Sequence, residues 1–156
     1  MASFSGPRPP QSQYAPRPQQ NQQRNGQQNA PRPPIAQIDP VTSKNYVDCA
    51  EAVMRDQRVT TSQLRNLLSL TADIYNRIET HTSDDLPDDV KASLVYLRVQ
   101  FVYAAGRDQA VREFIDQSRL LEVLKEAPKS RESALLLCRY LEALAAYKKY
   151  YDPKDK

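Results

Sequence analysis

The sequence predicts an all-α protein: a compact five-helix bundle over residues 39–156, preceded by a disordered Pro/Gln-rich tail over residues 1–38. Three observations carry this. Apolar residues recur at helical spacing through most of the chain after Asp39. Helix-capping residues precede those runs, and Gly or Pro follows them. No segment other than the apolar run at Leu94–Gly106 alternates like a strand, and a lone strand would leave its backbone groups unpaired.

The composition changes at the start of the bundle. Residues 1–38 hold eight of the twelve prolines, dense Gln and Asn, four arginines (Arg8, Arg17, Arg24, Arg32) and no acid. Such a segment cannot bury enough apolar surface to offset its ordering entropy. A Pro-Arg-Pro unit recurs at Pro7-Arg8-Pro9, Pro16-Arg17-Pro18 and Pro31-Arg32-Pro33. It reads as a solvated tether in preference to a nucleic-acid or polyproline contact, because four spread charges give little potential at physiological salt. The net charge of +3 comes from this tail. The body carries 18 Lys+Arg against 19 Asp+Glu, so any affinity for polyanions must be local.

The first predicted helix is capped by Thr42 or Ser43 and runs for roughly four turns. It carries Tyr46, Val47, Ala50, Val53 and Met54 inward, with Lys44, Asp48, Glu51 and Arg55 outward. The second opens on Thr60-Thr61-Ser62-Gln63, where Thr60 and Gln63 have capping-box spacing. Its apolar positions are Leu64, Leu67, Leu68, Thr71, Ile74, Tyr75 and Ile78. An acidic loop, Thr80–Asp89, leads to the third.

The third helix contains the longest nearly apolar run, LVYLRVQFVYAAG over Leu94–Gly106, and the bundle is expected to be organised around it. Pro87-Asp88-Asp89 supplies the start, and Gly106, in the left-handed position after the last turn, supplies the stop. Leu94, Leu97 and Phe101 mark one face and Val95, Val99 and Val102 another, which predicts burial on several sides. Asp108 then caps a fourth helix with Val111, Phe114 and Ile115 on one face. From Leu120 its apolar positions rotate through Leu121, Val123 and Leu124, the mark of a kink or a new neighbour. Ala127-Pro128-Lys129 breaks the chain, and Ser130 caps the fifth helix. There Leu137, Cys138, Leu141, Leu144 and Ala145 form one stripe, and Leu136, Tyr140, Tyr147 and Tyr151 form a second that exceeds what a small bundle buries. Asp152-Pro153 ends it.

Catalytic chemistry finds no footing. His81, the single histidine, lies in a polar loop, so no Ser–His or Cys–His pair can form around it. Asp84, Asp85, Asp88 and Asp89 lack the spacing and turn glycine of a calcium loop. Gly106-Arg107-Asp108 lacks the glycines and lysine of a phosphate cradle. Cys49 and Cys138 read as buried free thiols, since no Cys-x-x-Cys or Cys/His spacing is present. No cofactor or metal is expected. No apolar leader and no run long enough to span a bilayer is present, so a cytoplasmic protein with no membrane partner is expected.

What remains is basic residues on or beside the bundle: Arg65, Arg98, Arg107, Arg139 and Lys149. Guanidinium groups next to apolar helix faces can clamp phosphates, with aromatics nearby for stacking. They can equally make ion pairs within the chain, as Arg139 could with Glu142. Spacing alone leaves both roles open.

Three segments in order, Thr60-Thr61-Ser62-Gln63-Leu64-Arg65-Asn66, Tyr96–Arg107 (YLRVQFVYAAGR) and Cys138–Tyr147 (CRYLEALAAY), resemble the small subunit of the type III-A CRISPR–Cas effector, the Csm complex. The likeness runs from about Val41 to Asp155 and leaves the tail outside. It implies a five-helix bundle with no nuclease activity of its own. Several copies would line up beside backbone subunits and contact the backbone of CRISPR RNA and target RNA, in antiviral defence. The implied partners are the backbone and large signalling subunits, copies of itself and the two RNAs. Guide–target pairing would read the sequence, and the protein would track phosphates. By position, Arg65 and Arg107 come first as RNA contacts, then Arg98, Arg139 and Lys149. A free-standing helical adaptor with a proline-rich tail is the alternative.

Overall fold

The computed structural model describes residues 38–155, together with Ser3, Gly6, Pro7 and Pro10. The tail expected over residues 1–38 otherwise lies outside the described residues. Among the described residues the chain is all-helical, with six α-helices and no strand. In order these are α1 (Tyr46–Met54), α2 (Thr61–Glu79), α3 (Asp88–Arg107), α4 (Gln109–Gln117), α5 (Leu120–Glu126) and α6 (Arg131–Tyr151), with a 3-10 turn at Ala127–Lys129 before α6. No described helix is long and apolar enough to cross a membrane.

The sixth helix arises from a break at Ser118-Arg119. Arg119 takes the left-handed conformation at φ 55°, which costs a non-glycine residue about 1 kcal/mol. Its side chain offsets that cost. The guanidinium donates to the Ile38 carbonyl at 3.1 Å and to Glu122 at 2.9 Å. The rotated stripe at Leu120–Leu124 is therefore a separate helix, α5, and not a kink in α4.

α1 is shorter than expected. Asn45, not Thr42 or Ser43, stands at its start, because its Oδ1 accepts from both the amide and hydroxyl of Thr42 and closes a preceding turn. Val47 is exposed and Cys49 takes its place inside. The capping box of α2 is present: the Thr60 hydroxyl accepts from the Gln63 amide at 3.1 Å, and the Gln63 side chain accepts from the Thr60 amide at 2.9 Å. Its expected face holds, with Leu64, Leu67, Thr71, Ile74 and Ile78 buried.

The organising element is α6, not α3. α6 packs on α1, α2, α5 and the 3-10 turn, and it buries Ala134, Leu137, Cys138, Tyr140, Leu141, Leu144 and Lys148. Tyr140, expected on a spare stripe, is fully buried and donates to the Ser118 carbonyl at 2.9 Å. It thereby satisfies a carbonyl left free by the break between α4 and α5. Tyr147 and Tyr151 are half-buried, and the Tyr151 hydroxyl donates to Glu51 of α1 at 3.1 Å. Both cysteines are free and buried; burial pushes the Cys138 thiol up to about 12, so it stays protonated at neutral pH.

α3 buries one face only. Val90, Leu94, Leu97 and Phe101 point into the bundle, while Val95, Tyr96, Val99, Val102 and Tyr103 are each more than half exposed, at 51, 62, 56, 52 and 66%. The expectation of burial on several sides was wrong because a helix apolar all round within this chain has neighbours on only one side. Gly106 does not take the left-handed position either. It lies inside the last turn of α3 with ordinary negative φ, and the extended Asp108 ends the helix. A helical glycine costs about 1 kcal/mol relative to alanine. Its own helix turn and chain neighbours aside, nothing among the described residues lies within 4 Å of where a Gly106 Cβ would stand, so no contact among them requires it.

The C-terminal end is tied down by charge. Lys148 is buried, with Nζ 3.3 Å from both Asp152 and Asp155. Asp155 also accepts from the Thr61 amide in the first turn of α2 at 2.7 Å. That backbone donor, and then Lys148, hold the Asp155 carboxyl below its ordinary value of 3.8. A depressed carboxyl stabilises the fold above its unfolded value and loses that contribution as pH falls through its folded value. Asp155→Asn should therefore lower the melting temperature at neutral pH. It should also flatten the decline in stability below the ordinary value of 3.8. Thermal melts from neutral pH into acid check both.

Candidate nucleic-acid interface

The five basic residues do not form one cluster. Arg65 stands on the exposed side of α2, one turn past its capping box. Arg107 is the last residue of α3 and is exposed. The helices that carry them are tied by a hydrogen bond between residues 45 apart in sequence: the Gln63 side-chain amide donates to Asp108 Oδ2 at 2.6 Å. Arg65 follows Gln63 by two residues, which turns it to another side of α2, and Arg107 precedes Asp108 by one. Asp108 is fixed there by its second role. Its other oxygen accepts from the Ala110 and Val111 amides, at 2.9 and 3.2 Å, and caps α4.

Lys149 lies near the same end of the bundle, because Asp155 joins the end of α6 to the start of α2. Its ammonium is occupied, donating to the Pro153 carbonyl at 2.8 Å. It thus ties down the turn that follows its own helix, at the end where the macrodipole favours a cation. Arg98 and Arg139 stand apart. Arg98 is nine residues before Arg107, about 14 Å along α3 and half a turn round it. It is exposed, so the expectation that its helix buries it does not hold. Arg139 is exposed midway along α6.

The ion-pairing role left open by the sequence is not what the geometry shows. Arg65, Arg98, Arg107 and Arg139 make no ion pair among the described residues. Glu142 does not reach Arg139. It lies toward Tyr75 of α2, whose hydroxyl it holds in the protonated form to higher pH. Arg107 instead sits over the Tyr103 ring, 5.6 Å from its centre. Cation and ring form one flat exposed surface, suited to a phosphate at its edge and a base on its face.

Sequence reasoning passed over three residues here. Tyr103 is the aromatic partner of Arg107, and the four-residue spacing on a helix was the available signal. Arg58 precedes the capping box and Arg112 lies in the first turn of α4; both are exposed, close in sequence to the Gln63–Asp108 junction, and without an ion pair among the described residues. Nothing in their local sequence set them apart from ordinary surface cations. No group of three or more His, Cys, Asp or Glu that could hold a metal occurs among the described residues.

Known proteins resemble this chain over most of its length. The family model for Csm2 of type III-A matches residues 41–154. The chain is 51% identical over 122 residues to the CRISPR system Cms protein Csm2 of Mycobacterium tuberculosis (strain CDC 1551 / Oshkosh), covering 74% of this chain and 98% of that protein. It is 46% identical over 123 residues to the protein of the same name from Streptococcus thermophilus, again covering 74% of this chain and 98% of the relative. The likeness to the Csm2 protein of Enterococcus italicus is 39% over 99 residues, covering 62% of this chain and 71% of that one. The matched region takes in Arg65, Arg107, the Gln63–Asp108 junction and all six helices, and the chain belongs to the Csm2 family of type III-A CRISPR systems.

Proposed function

We propose that this chain, as a Csm2-family small subunit of a type III-A CRISPR complex, is non-catalytic and tracks the phosphate backbone of CRISPR RNA or its target. Several copies would stack beside the backbone subunits, in the cytoplasm. One observation carries the reading: Arg65 and Arg107 are exposed and have no carboxylate partner among the described residues, on two helices tied by the Gln63–Asp108 hydrogen bond. Exposed guanidinium groups that neutralise nothing within the chain are free to neutralise phosphates. Two or three such contacts per copy suit a body with no net positive charge, because guide–target pairing supplies sequence recognition and the protein need only follow backbone and shape. Arg98, Arg139 and Lys149 stand second, Lys149 because its ammonium already has a carbonyl.

Co-purification tests the assembly part of this reading. A tagged copy expressed with the neighbouring genes of its locus should elute with larger subunits and a bound small RNA. Elution of the chain alone and free of RNA at low salt would overturn it.

A further inference from the structure

α6 ends in a row of tyrosines that the bundle only half uses. The Tyr147 and Tyr151 rings stack with centres 6.2 Å apart and 24° between their planes, and Tyr150 meets Tyr151 edge-on at 5.2 Å. Tyr147 and Tyr151 pack on the core, whereas Tyr150 is 75% exposed. The row is fixed from α1, because the Tyr151 hydroxyl donates to Glu51. Three rings held in order form an apolar platform with polar tips.

The charge beside the platform selects its occupant. Asp48 and Glu51 of α1 lie toward Tyr147: burial first, and then Glu51, Tyr151 and Asp48, hold its hydroxyl protonated to higher pH. Arg55 answers Glu51 at 3.4 Å, and Asp48 has no ion pair among the described residues. Acids beside the rings repel a phosphate backbone and attract an apolar ligand that carries a cation. Proline-rich segments are ligands of this kind. They dock on aromatic rows in the polyproline II form, which is extended beforehand and loses little entropy on binding.

The chain itself contains such a ligand. Pro7-Arg8-Pro9-Pro10 and Pro31-Arg32-Pro33-Pro34 each set two prolines three residues apart with an arginine between them, in a region without an acid. Residues three apart in polyproline II share a face and stand about 9 Å apart, a span suited to three rings stepped by 6.2 and 5.2 Å. The arginine lies a third of a turn off that face, free to meet an acid at the platform's edge. Two units against one platform per body leave a unit for another copy. Pro10 is 28 residues before Ile38, which gives it up to about 90 Å of chain. The longest helix of the body, α6, has 21 residues and is about 31 Å long, so the far unit reaches past one body to a neighbour.

We propose that the Pro7–Pro10 unit of one copy docks on the Tyr147, Tyr150 and Tyr151 platform of a second copy, with Arg8 beside Asp48 and Glu51. The Pro-Arg-Pro repeat, a tether by its composition, thereby gains a point of attachment, and neighbouring copies are linked through it. The contact uses neither Arg65 nor Arg107, so the RNA-tracking role stands or falls separately.

Photo-cross-linking between two full-length variants, nuclease-treated and mixed at micromolar concentration, tests it. The donor carries benzoylphenylalanine in place of Gln11 together with Tyr150→Ala, and so offers the tail without an intact platform. The acceptor carries Pro7→Ala, Pro10→Ala, Pro31→Ala and Pro34→Ala, and so offers the platform without its ligand. Cross-links from donor to acceptor should map to the last two turns of α6 and to α1. Their yield should fall at least about threefold with Arg8→Glu in the donor or with Tyr150→Ala in the acceptor. Tyr150 is mostly exposed, so the Tyr150→Ala chain should melt like the wild type. Cross-links that are absent, or that map elsewhere on the acceptor, would overturn the proposal. If Tyr150→Ala in the acceptor leaves the yield unchanged and instead weakens target-RNA capture, the platform stacks bases and the proposal likewise falls.

Discussion

Phe101→Ala is expected to destabilise the bundle by about 3–5 kcal/mol, a large part of the 5–15 kcal/mol typical of a domain this size. Phe101 is fully buried on the inner face of α3, which packs against α2, α4, α5 and the 3-10 turn. Truncation removes a whole ring from water-free packing and leaves a cavity that surrounding helices fill only in part. Val99, two residues earlier, should behave in the opposite way. It is 56% exposed, and Val99→Ala should be neutral or slightly stabilising in the dilute monomer, because alanine is the stronger helix former. Chemical denaturation of the two variants measures both effects. Comparable losses at the two positions would mean that α3 is buried on both sides.

Asp108→Ala is expected to cost about 2 kcal/mol, from the α4 cap and from the Gln63 contact together. The carboxylate accepts two amides of α4 and one side-chain amide of α2, so it links the cap of one helix to the start of another. A double-mutant cycle with Gln63→Ala should return a coupling of at least about 0.5 kcal/mol, as expected for residues in one hydrogen-bonded network. The same substitution has a functional consequence. Arg65 and Arg107 remain in the chain, but the helices that carry them lose a tie, so target-RNA capture should fall although no arginine has been removed. Additive effects in the cycle would show that the junction does not fix the two helices relative to one another.

Local features of this fold were legible because local rules decide them. The capping box at Thr60 and Gln63 and the caps at Asp108 and Ser130 follow from side chains within three residues of the amides they bind. The core face of α2 followed from its period. Features that depend on what lies across the bundle were not legible. An apolar face reads the same whether it packs inside its own chain or waits for another, and so the outer face of α3 was expected in the core. Arg119 gave no sign of its left-handed backbone, since its stabilising partner, the Ile38 carbonyl, is 81 residues away. Tyr140 was assigned to a surface stripe because the carbonyl it satisfies, at Ser118, exists only where two helices part.

The candidate site shows the same division. Resemblance and charge drew attention to Arg65 and Arg107, but the tie between the helices that carry them is a hydrogen bond across 45 residues that no spacing rule contains. The choice between phosphate clamp and internal ion pair also required coordinates. Glu142 stands three residues from Arg139, yet it lies toward Tyr75.

The most direct test of the account is the salt dependence of target-RNA capture by the assembled complex. It compares wild-type chain with the Arg65→Ala, Arg107→Ala double variant. If these arginines neutralise phosphates, the variant should enter the complex and melt normally, bind target more weakly at low salt, and show a log-affinity against log-salt slope shallower by roughly 1.5 units per copy engaged. An unchanged slope in fully assembled complex would contradict the account and leave these residues as ordinary surface cations.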